Sequence, residues 1–490
     1  MSDAFVRDKA ASPQQPDGSG TLDPLRRIAQ LSAGVAATPS QIRVGGAVNA
    51  IWPHHVRVAG LRQVAKVGMT IEVEAGSERE FGQIVELGTD GAVIKLFSSG
   101  LQIGLGASAW IQDDLSLRPD RSWCGRIINP VGVSIDGLSP LVDGSKAYAI
   151  DGPPIPPLSL DRVSEPIRTG VKAIDLFTPI CAGQRIGIFA GSGVGKSTLV
   201  SMITRSQRFA VIVVALVAER SREVREFIED VIGDQRHRSI VVVSPSSDNA
   251  MMRTLAAKSA TTIAEYFRDC GDDVLLVVDS ITRYAHALRE VAVGAGEAPV
   301  ARGYAPSVFT QLPKLLERAG PGTPTTGSIT GIYSVLVDGE DHNEPVADTV
   351  RGVLDGHIVL DRAIADQGRY PAINLLTSLS RLAPLAWTPE QATIVRRLRA
   401  LVARYEETRD LRAIGAYRPG HDVELDQAVL LAPLILKLCT QMAHDPICVD
   451  VFAELSAVLS STRQVKDAKP DKNGASGRVA NGDSHGSART

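Results

Sequence analysis

A glycine-rich turn that leads into a lysine and two hydroxyl residues is the segment of this sequence best suited to hold a phosphate. Its residues are Gly191, Ser192, Gly193, Val194, Gly195, Lys196, Ser197 and Thr198. Glycines allow successive backbone N–H groups to surround an anion, and the start of a helix adds its positive dipole end. Lys196 can reach the outer phosphates of a nucleotide, and the Ser197 hydroxyl can bind Mg²⁺. We therefore predict a nucleotide-binding P-loop, against the alternative of a glycine-rich turn with an unrelated lysine.

Two acidic residues follow apolar runs that are typical of buried strands. Asp279 ends the run 274–279, and a carboxylate at the end of such a strand can hold Mg²⁺ through water. Glu219 follows the run 211–216, where it can polarise an attacking water. Arg220 is adjacent to it. From spacing alone, a surface ion pair or a helix cap is an equal alternative for Glu219 and Arg220, and the run before Asp279 is a common pattern without a P-loop.

Two further side chains suit a nucleotide site. Arg381 can stabilise the charge that develops on a transferred phosphoryl group, and it would act in trans if a neighbouring subunit supplied it. Tyr370 follows Gly368 and Arg369, and its ring can pack on adenine. Without other evidence, a surface arginine and a core or loop tyrosine are the ordinary interpretations of these two residues.

The elements around these residues predict an α/β fold with three parts. Between residues 163 and 382 strands alternate with helices, and the strands lack polar alternation, which indicates a mainly parallel sheet covered on both faces. We expect strands at 185–189, 210–216, 239–243, 274–278 and 328–337, and helices at 221–233 and 251–269. Ala190 replaces the first glycine of the usual P-loop pattern, and its small side chain is tolerable there.

The remaining segments complete the predicted organisation. Short alternating strands divided by glycines predict a β-barrel over 41–117, with a hairpin turn at 88–91. We expect a flexible, partner-binding N-terminus at 1–40 with a short helix within 23–33. The ATPase domain, with its leading connector, spans 118–385. A helical domain at 386–463 includes a helix over 449–459, and a disordered tail follows at 464–490.

Composition argues against several classes of protein. The 490 residues carry a net charge of −3, and aromatic residues make up only 4%; neither value favours nucleic-acid binding. The sequence contains no apolar run of the length that spans a membrane, and its start lacks the apolar core of a secretory signal. The five cysteines are scattered without a C-x-x-C pair, which argues against metal or disulfide roles.

Several motifs together resemble the type III secretion and flagellar protein-export ATPases, relatives of the catalytic subunit of rotary ATP synthases. The motifs are the P-loop segment 189–199, Asp-Ser-Ile-Thr-Arg-Tyr-Ala from Asp279, Arg-Gly-Tyr-Ala-Pro-Ser-Val-Phe from Arg302, and Tyr-Pro-Ala-Ile-Asn from Tyr370. The resemblance covers roughly 41–461 and is most specific across 165–385. It implies an N-terminal β-barrel, a central RecA-like P-loop domain and a C-terminal helical domain.

The resemblance also implies roles for single residues. Lys196, Ser197 and Thr198 match the P-loop of a Mg²⁺-dependent ATPase. Glu219 matches the catalytic glutamate with Arg220 beside it, and Ala218 replaces the glycine that the family usually has before this glutamate. The other matches are Asp279 to the Walker-B acid, Arg283 to an arginine of the synthase motif, Tyr370 to the adenine-packing aromatic and Arg381 to the arginine finger.

The partners that the resemblance implies are those of an export machine. It implies a homohexameric ring, a stator-like regulator at the N-terminus, a stalk protein, export-gate membrane proteins, and export substrates with their chaperones. It places the protein in the cytoplasm, peripherally at the inner-membrane export apparatus. No nucleic acid is expected as a partner.

Three functions remain in competition at this point. An export ATPase is favoured because the segment 410–420 looks like that family and the C-terminal region lacks the acidic lever of the synthase β subunit. A rotary synthase subunit of the catalytic type is the first alternative. An RNA-translocating hexamer is the second, although the barrel lacks the basic, aromatic surface that RNA reading needs. The loop 294–303 and the turn at Arg418 favour the flagellar over the virulence branch.

Overall fold

The computed structural model describes residues 43–467, apart from positions 54, 62, 77, 113 and 164 and the segments 99–102 and 338–343. The helix expected within 23–33 and almost all of the tail expected from residue 464 lie outside these residues. Within them, no helix combines the length and the apolar character needed to cross a bilayer.

Six antiparallel strands close into the expected N-terminal barrel. They are β1 (Gly45–Trp52), β2 (His55–Ala59), β3 (Thr70–Ala75), β4 (Glu78–Gly88), β5 (Gly91–Leu96) and β6 (Ser108–Ile111), in the order β1-β2-β5-β4-β3-β6. The predicted hairpin is confirmed, because Gly88 pairs with Gly91 between β4 and β5. Alternate apolar side chains such as Val56, Val58 and Ile94 fill the barrel interior. Beyond the barrel, Ser116–Leu117 pairs with Tyr148–Ala149.

The central domain is built on a sheet of mostly parallel strands. The strands are β7 (Ile127–Ile128), β8 (Arg185–Ala190), β9 (Val211–Glu219), β10 (Ser239–Pro245), β11 (Val274–Asp279), β12 (Ser328–Leu336), β13 (Gly356–Leu360) and β14 (Leu379–Ser380). Their order is β14-β13-β8-β12-β11-β9-β10-β7, and Gly320–Pro321 pairs with β12 outside this path. Both β14 and Gly320–Pro321 run antiparallel to their neighbours. A further pair joins Pro166–Ile167 to Ile180–Cys181.

Helices cover both faces of this sheet. They are α1 (Lys172–Phe177), α2 (Lys196–Thr204), α3 (Ser221–Glu226), α4 (Ala250–Asp269), α5 (Ile281–Gly294), α6 (Pro306–Leu316), α7 (Pro345–Val353) and α8 (Arg362–Asp366). Successive residues of β9 enter two different buried clusters, Val213 in one and Val214 in the other. Because neighbouring strand residues point to opposite faces, the sheet is buried on both sides, as its unbroken apolar strands predicted.

The C-terminal region is helical, as predicted. It contains α9 (Ala383–Ala386), α10 (Pro389–Glu407), α11 (Arg409–Ala413), α12 (Val423–Leu438) and α13 (Val451–Asp467). The start of α10 is fixed by a complete capping box, which Thr388 and Gln391 form around Pro389 at the first helical position. The last helix begins two residues later than expected and continues to Asp467, past the predicted boundary at 463.

One predicted helix ends earlier than expected, and one strand was not predicted. The helix expected at 221–233 is α-helical only as far as Glu226, and residues 227–232 form a π-helical turn followed by a 3₁₀ helix, Gly233–Arg238. Strand β13 was missed, because Gly356 and His357 dilute its short apolar run. That strand matters because it pairs with β8, the strand that carries the P-loop.

Candidate functional site

The glycine-rich turn connects the end of β8 to the start of α2. Gly193 and Gly195 have φ values of +79° and +98°, a region that favours glycine, and Gly195 is the N-cap of α2. An added Cβ would meet no atom within 4 Å at Gly193, so the backbone conformation is what requires glycine there. The turn and the first residues of α2 line a cleft of about 1080 Å³. Strand β8, the turn and α2 together have the strand–turn–helix geometry of a P-loop.

Lys196 and Asp279 meet at the floor of this cleft. Asp279 ends β11 and is 2% exposed. The Nζ atom of Lys196 donates to Oδ1 of Asp279, and the Ser334 hydroxyl donates to the same oxygen at 2.6 Å. The lysine ammonium and a buried carboxylate therefore lie where phosphates and a cation would bind. Ser334 has no local sequence signal, and sequence reasoning missed it.

Glu219 lies at the end of β9, the strand next to β11. Its residue is 8% exposed, and Oε2 lies 2.8 Å from Nη1 of Arg283, which also donates to the Ala218 carbonyl. Burial is the largest cause that raises the pKa of Glu219, to about 7, and a hydrogen bond with Glu223 and the charge of Asp279 add to it. The same hydrogen bond lowers the pKa of Glu223.

A backbone irregularity precedes Glu219. The register between β9 and β10 shifts between Val217 and Glu219, and Ala218 between them has a φ of +55°. Such a bulge re-aims the next side chain, which here is Glu219. The left-handed conformation suits glycine and strains alanine. The difference from the usual family sequence at this position therefore lies at a point of backbone strain.

Arg220 and Arg283 differ in how they relate to Glu219. The Arg220 side chain is 80% exposed and lies 3.4 Å from Glu223, at the rim of the cleft. Arg283, in the first turn of α5, is the arginine that contacts Glu219. The structure therefore places Arg220 among the cleft residues but gives its charge a surface partner, which was one of the two alternatives for it.

Tyr370 lies against the P-loop from another side. A Cβ on Gly195 would lie 3.8 Å from the ring carbons Cδ1 and Cε1 of Tyr370. Arg362, at the start of α8, donates to the Ser192 carbonyl at 2.8 Å. The segment from Arg362 to Tyr370 thus contacts the P-loop at two points. Nothing in the sequence indicated the Arg362 contact.

Arg381 lies away from the cleft of its own chain. Its backbone N–H donates to the Asp355 carbonyl at 2.9 Å, and its exposed side chain donates to the Arg351 carbonyl at 3.4 Å. It is not among the residues that line the cleft. The chain therefore brings together the P-loop residues, Glu219 and Asp279, and leaves Arg381 outside this group.

The oxygen donors in the cleft fit a hard cation. Ser197 and Asp279 both line it, and Mg²⁺ in nucleotide sites is bound through one or two such oxygens together with phosphates. Within the described part of the chain, no group of three or more His, Cys, Asp or Glu residues is arranged to hold a metal. The donor set at the P-loop therefore suits an ion that arrives with a nucleotide.

Comparisons with known sequences agree on one family. The ATP synthase alpha/beta family, nucleotide-binding domain, matches residues 170–380, and the T3SS EscN ATPase C-terminal domain matches residues 387–456. The flagellum-specific ATP synthase of Agrobacterium fabrum is 50% identical over 440 residues, 90% of this chain and 93% of the relative. The protein of that name from Rhizobium meliloti is 48% identical over 90% of this chain and 95% of its own.

Solved structures agree as well. The assembled ATPase EscN from the enteropathogenic E. coli type III secretion system superposes with a TM-score of 0.78 at 35% identity, covering 85% of this chain and all of EscN. EscN in complex with its central stalk EscO gives a TM-score of 0.76 at the same identity and coverage. These matches, together with the P-loop, Glu219 and Asp279 in one cleft, show that the chain belongs to the flagellar and type III secretion ATPase family and is a P-loop enzyme that uses ATP.

Proposed function

We propose that this chain hydrolyses ATP with Mg²⁺ to energise the export of flagellar proteins, by unfolding them or releasing them from chaperones at the export gate. The observation that carries the proposal is the meeting of Lys196, Asp279 and Glu219 in one cleft beside the P-loop. The curated relatives named above are flagellum-specific, which supports the flagellar branch over virulence secretion.

Each group in the cleft has a chemical task in this proposal. The backbone N–H groups of residues 191–195, with Lys196 and Thr198, bind the phosphates. Ser197 and Asp279 hold Mg²⁺, which neutralises phosphate charge when bound. Lys196 pairs with Asp279 in the structure, and arriving phosphates offer its ammonium a second set of anions. The Tyr370 ring supports the base.

Glu219 is the group that we assign to water activation. It must be ionised to take up a proton from the attacking water, and the Arg283 guanidinium at 2.8 Å favours the ionised form. Burial opposes ionisation and raises the pKa of Glu219 to about 7. A base whose pKa lies near the working pH is both ionised and able to take up a proton. Arg220, at the rim, is proposed to assist from the surface.

We further propose that Arg381 acts on the ATP of a neighbouring copy in a homohexameric ring. Two facts support this: the Arg381 side chain is exposed and lies outside its own cleft, and EscN, a structural relative, has been solved as an assembled ATPase. An arginine supplied from a second subunit would stabilise the charge on the transferred phosphoryl group.

The remaining partners follow from the family. EscN binds a central stalk, EscO, and we propose a stalk protein in the same place here. A stator-like regulator at residues 1–40, the export-gate membrane proteins, and export substrates with their chaperones complete the proposed set. The site of action is then the cytoplasmic side of the inner membrane, at the export apparatus.

ATP hydrolysis by the full chain tests the assignment of the base. Glu219→Gln keeps the shape of the side chain but removes the charge, and we expect turnover to fall by about 10²–10⁴-fold while ATP binding is retained. Glu290→Gln is the matched control, because Glu290 lies on α5 outside the cleft lining and its half-exposed carboxylate pairs with Arg253 at 2.6 Å. Full turnover in Glu219→Gln would show that another group activates the water.

A further inference from the structure

The segment between α12 and α13 forms one wall of the nucleotide cleft. We call residues 440–450 the C-terminal strap. Ala443 and His444 of the strap line the cleft together with Arg205, which follows α2 directly. The Arg205 guanidinium donates to the Ala443 carbonyl. The helical domain therefore reaches the cleft through this strap, at the end of the helix that begins with Lys196.

Gln441 anchors the strap at two places at once. The residue is 4% exposed. Its backbone N–H donates to the Tyr370 carbonyl at 2.8 Å. Its side-chain Oε1 accepts from the Lys172 backbone N–H at 3.1 Å, and Nε2 donates to the Gly170 carbonyl at 3.0 Å. A buried side-chain amide with these partners is costly to leave unpaired, so it ties the strap to the segment 170–172, while the backbone N–H ties the strap to Tyr370.

Two of the three segments that meet at Gln441 lie at the nucleotide site: the strap lines the cleft through Ala443 and His444, and Tyr370 lies beside Gly195 of the P-loop. Tyr370 packs toward Gly195 with its ring while its carbonyl is held by Gln441. The phosphate-binding groups are on the P-loop and β11. The Gln441 side chain contacts neither of them, because it bonds to the segment 170–172 and to its own strap. We therefore expect a loss of the Gln441 side-chain bonds to shift the strap, and Tyr370 with it, before it disturbs the phosphate side.

We propose that Gln441 is a positioning residue that fixes the base side of the nucleotide site, because it holds the strap in place against Tyr370. This inference rests on the proposed function, in which the P-loop binds the phosphates and Tyr370 supports the base.

The test is steady-state ATP hydrolysis by the full-length Gln441→Met protein. Methionine keeps the length and volume of the side chain but makes none of its three hydrogen bonds. We expect KM for ATP to rise by about five- to tenfold, with kcat within about twofold of wild type. The inhibition constant of tripolyphosphate, which has phosphates but no base, should stay unchanged.

The matched control is Gln184→Met. Gln184 is fully buried and equally well bonded: Nε2 donates to the Ser380 hydroxyl at 3.1 Å, and Oε1 accepts from the Cys181 N–H at 2.8 Å. It lies just before β8, at the opposite end of that strand from the P-loop. A general loss of stability would affect both variants, whereas a base-side effect is expected only in Gln441→Met.

Three results would decide between the possibilities. An unchanged KM in Gln441→Met, or a matching rise in the tripolyphosphate constant, would overturn the inference while leaving the proposed function intact. Absence of ATP turnover in the wild-type protein would overturn the proposed function itself. If Gln441→Met does not fold, Gln441→Asn keeps the amide with a shorter reach, and a rise in KM without a change in the tripolyphosphate constant is again required.

Discussion

Replacing the buried carboxyl of Glu219 by an amide is expected to raise the stability of the fold near neutral pH while it lowers activity. Burial, the hydrogen bond with Glu223 and the charge of Asp279 raise its pKa from 4.5 to about 7. The folded protein thus binds this proton more tightly than the unfolded chain. The resulting stabilisation is fully present below pH 4.5 and is lost as the pH rises through about 7. The neutral amide of the Glu219→Gln variant does not ionise, so its burial carries no such dependence on pH.

The size of the effect follows from the shift. A difference of about 2.5 pH units at about 1.4 kcal/mol each gives an upper value of about 3.5 kcal/mol. The carboxyl faces the open cleft, and Arg283 loses a partner in the variant, so we reduce this to about 1–2 kcal/mol. For the central domain, that corresponds to a rise in Tm of roughly 2–4 °C.

Thermal unfolding of Glu219→Gln and wild type between about pH 3.5 and 8.5 measures this effect. The variant should gain Tm relative to wild type as the pH rises to about 7, and the difference should then stay constant. Glu223→Gln is the control of opposite sign, because the Glu219 hydrogen bond lowers the pKa of Glu223; its stabilisation is present above pH 4.5 and lost at lower pH. A Tm difference for Glu219→Gln that falls with pH, or does not change, would refute the reasoning.

Two other substitutions test the geometry beside Glu219. Ala218→Gly should stabilise the protein by about 1 kcal/mol, because φ is +55° at this position; thermal unfolding would show a higher Tm, and a lower Tm would contradict the strain. Asp279→Asn should retain nucleotide binding measured without Mg²⁺ and lose the gain in affinity that Mg²⁺ gives. Equal Mg²⁺ dependence in Asp279→Asn and wild type, measured by titration with a fluorescent nucleotide, would remove Asp279 from the metal site.

The sequence predicted those parts of the site that are local or that end a strand. The P-loop is one contiguous strand–turn–helix, so its residues could be named from their order alone. Asp279 and Glu219 are far apart in sequence but end adjacent parallel strands. The carboxyl ends of parallel strands meet at one edge of the sheet, where ligands bind, so these two acids could be expected to converge.

The remaining contacts depend on tertiary packing that no local pattern encodes. Ser334 reaches Asp279 only because β12 lies beside β11. Gln441 reaches Tyr370 only because the strap packs next to the segment that carries Tyr370. The left-handed backbone at Ala218 could not be predicted either, since alanine does not favour it.

The central claim is that ATP is hydrolysed at sites shared between copies of this chain, with Lys196 in one copy and Arg381 in the next. Lys196→Ala and Arg381→Ala should each abolish turnover when they are assayed alone. An equimolar mixture should regain about a quarter of wild-type activity, because a random ring pairs an intact lysine with an intact arginine at about one site in four. Mixtures with no more activity than either variant alone would contradict the claim.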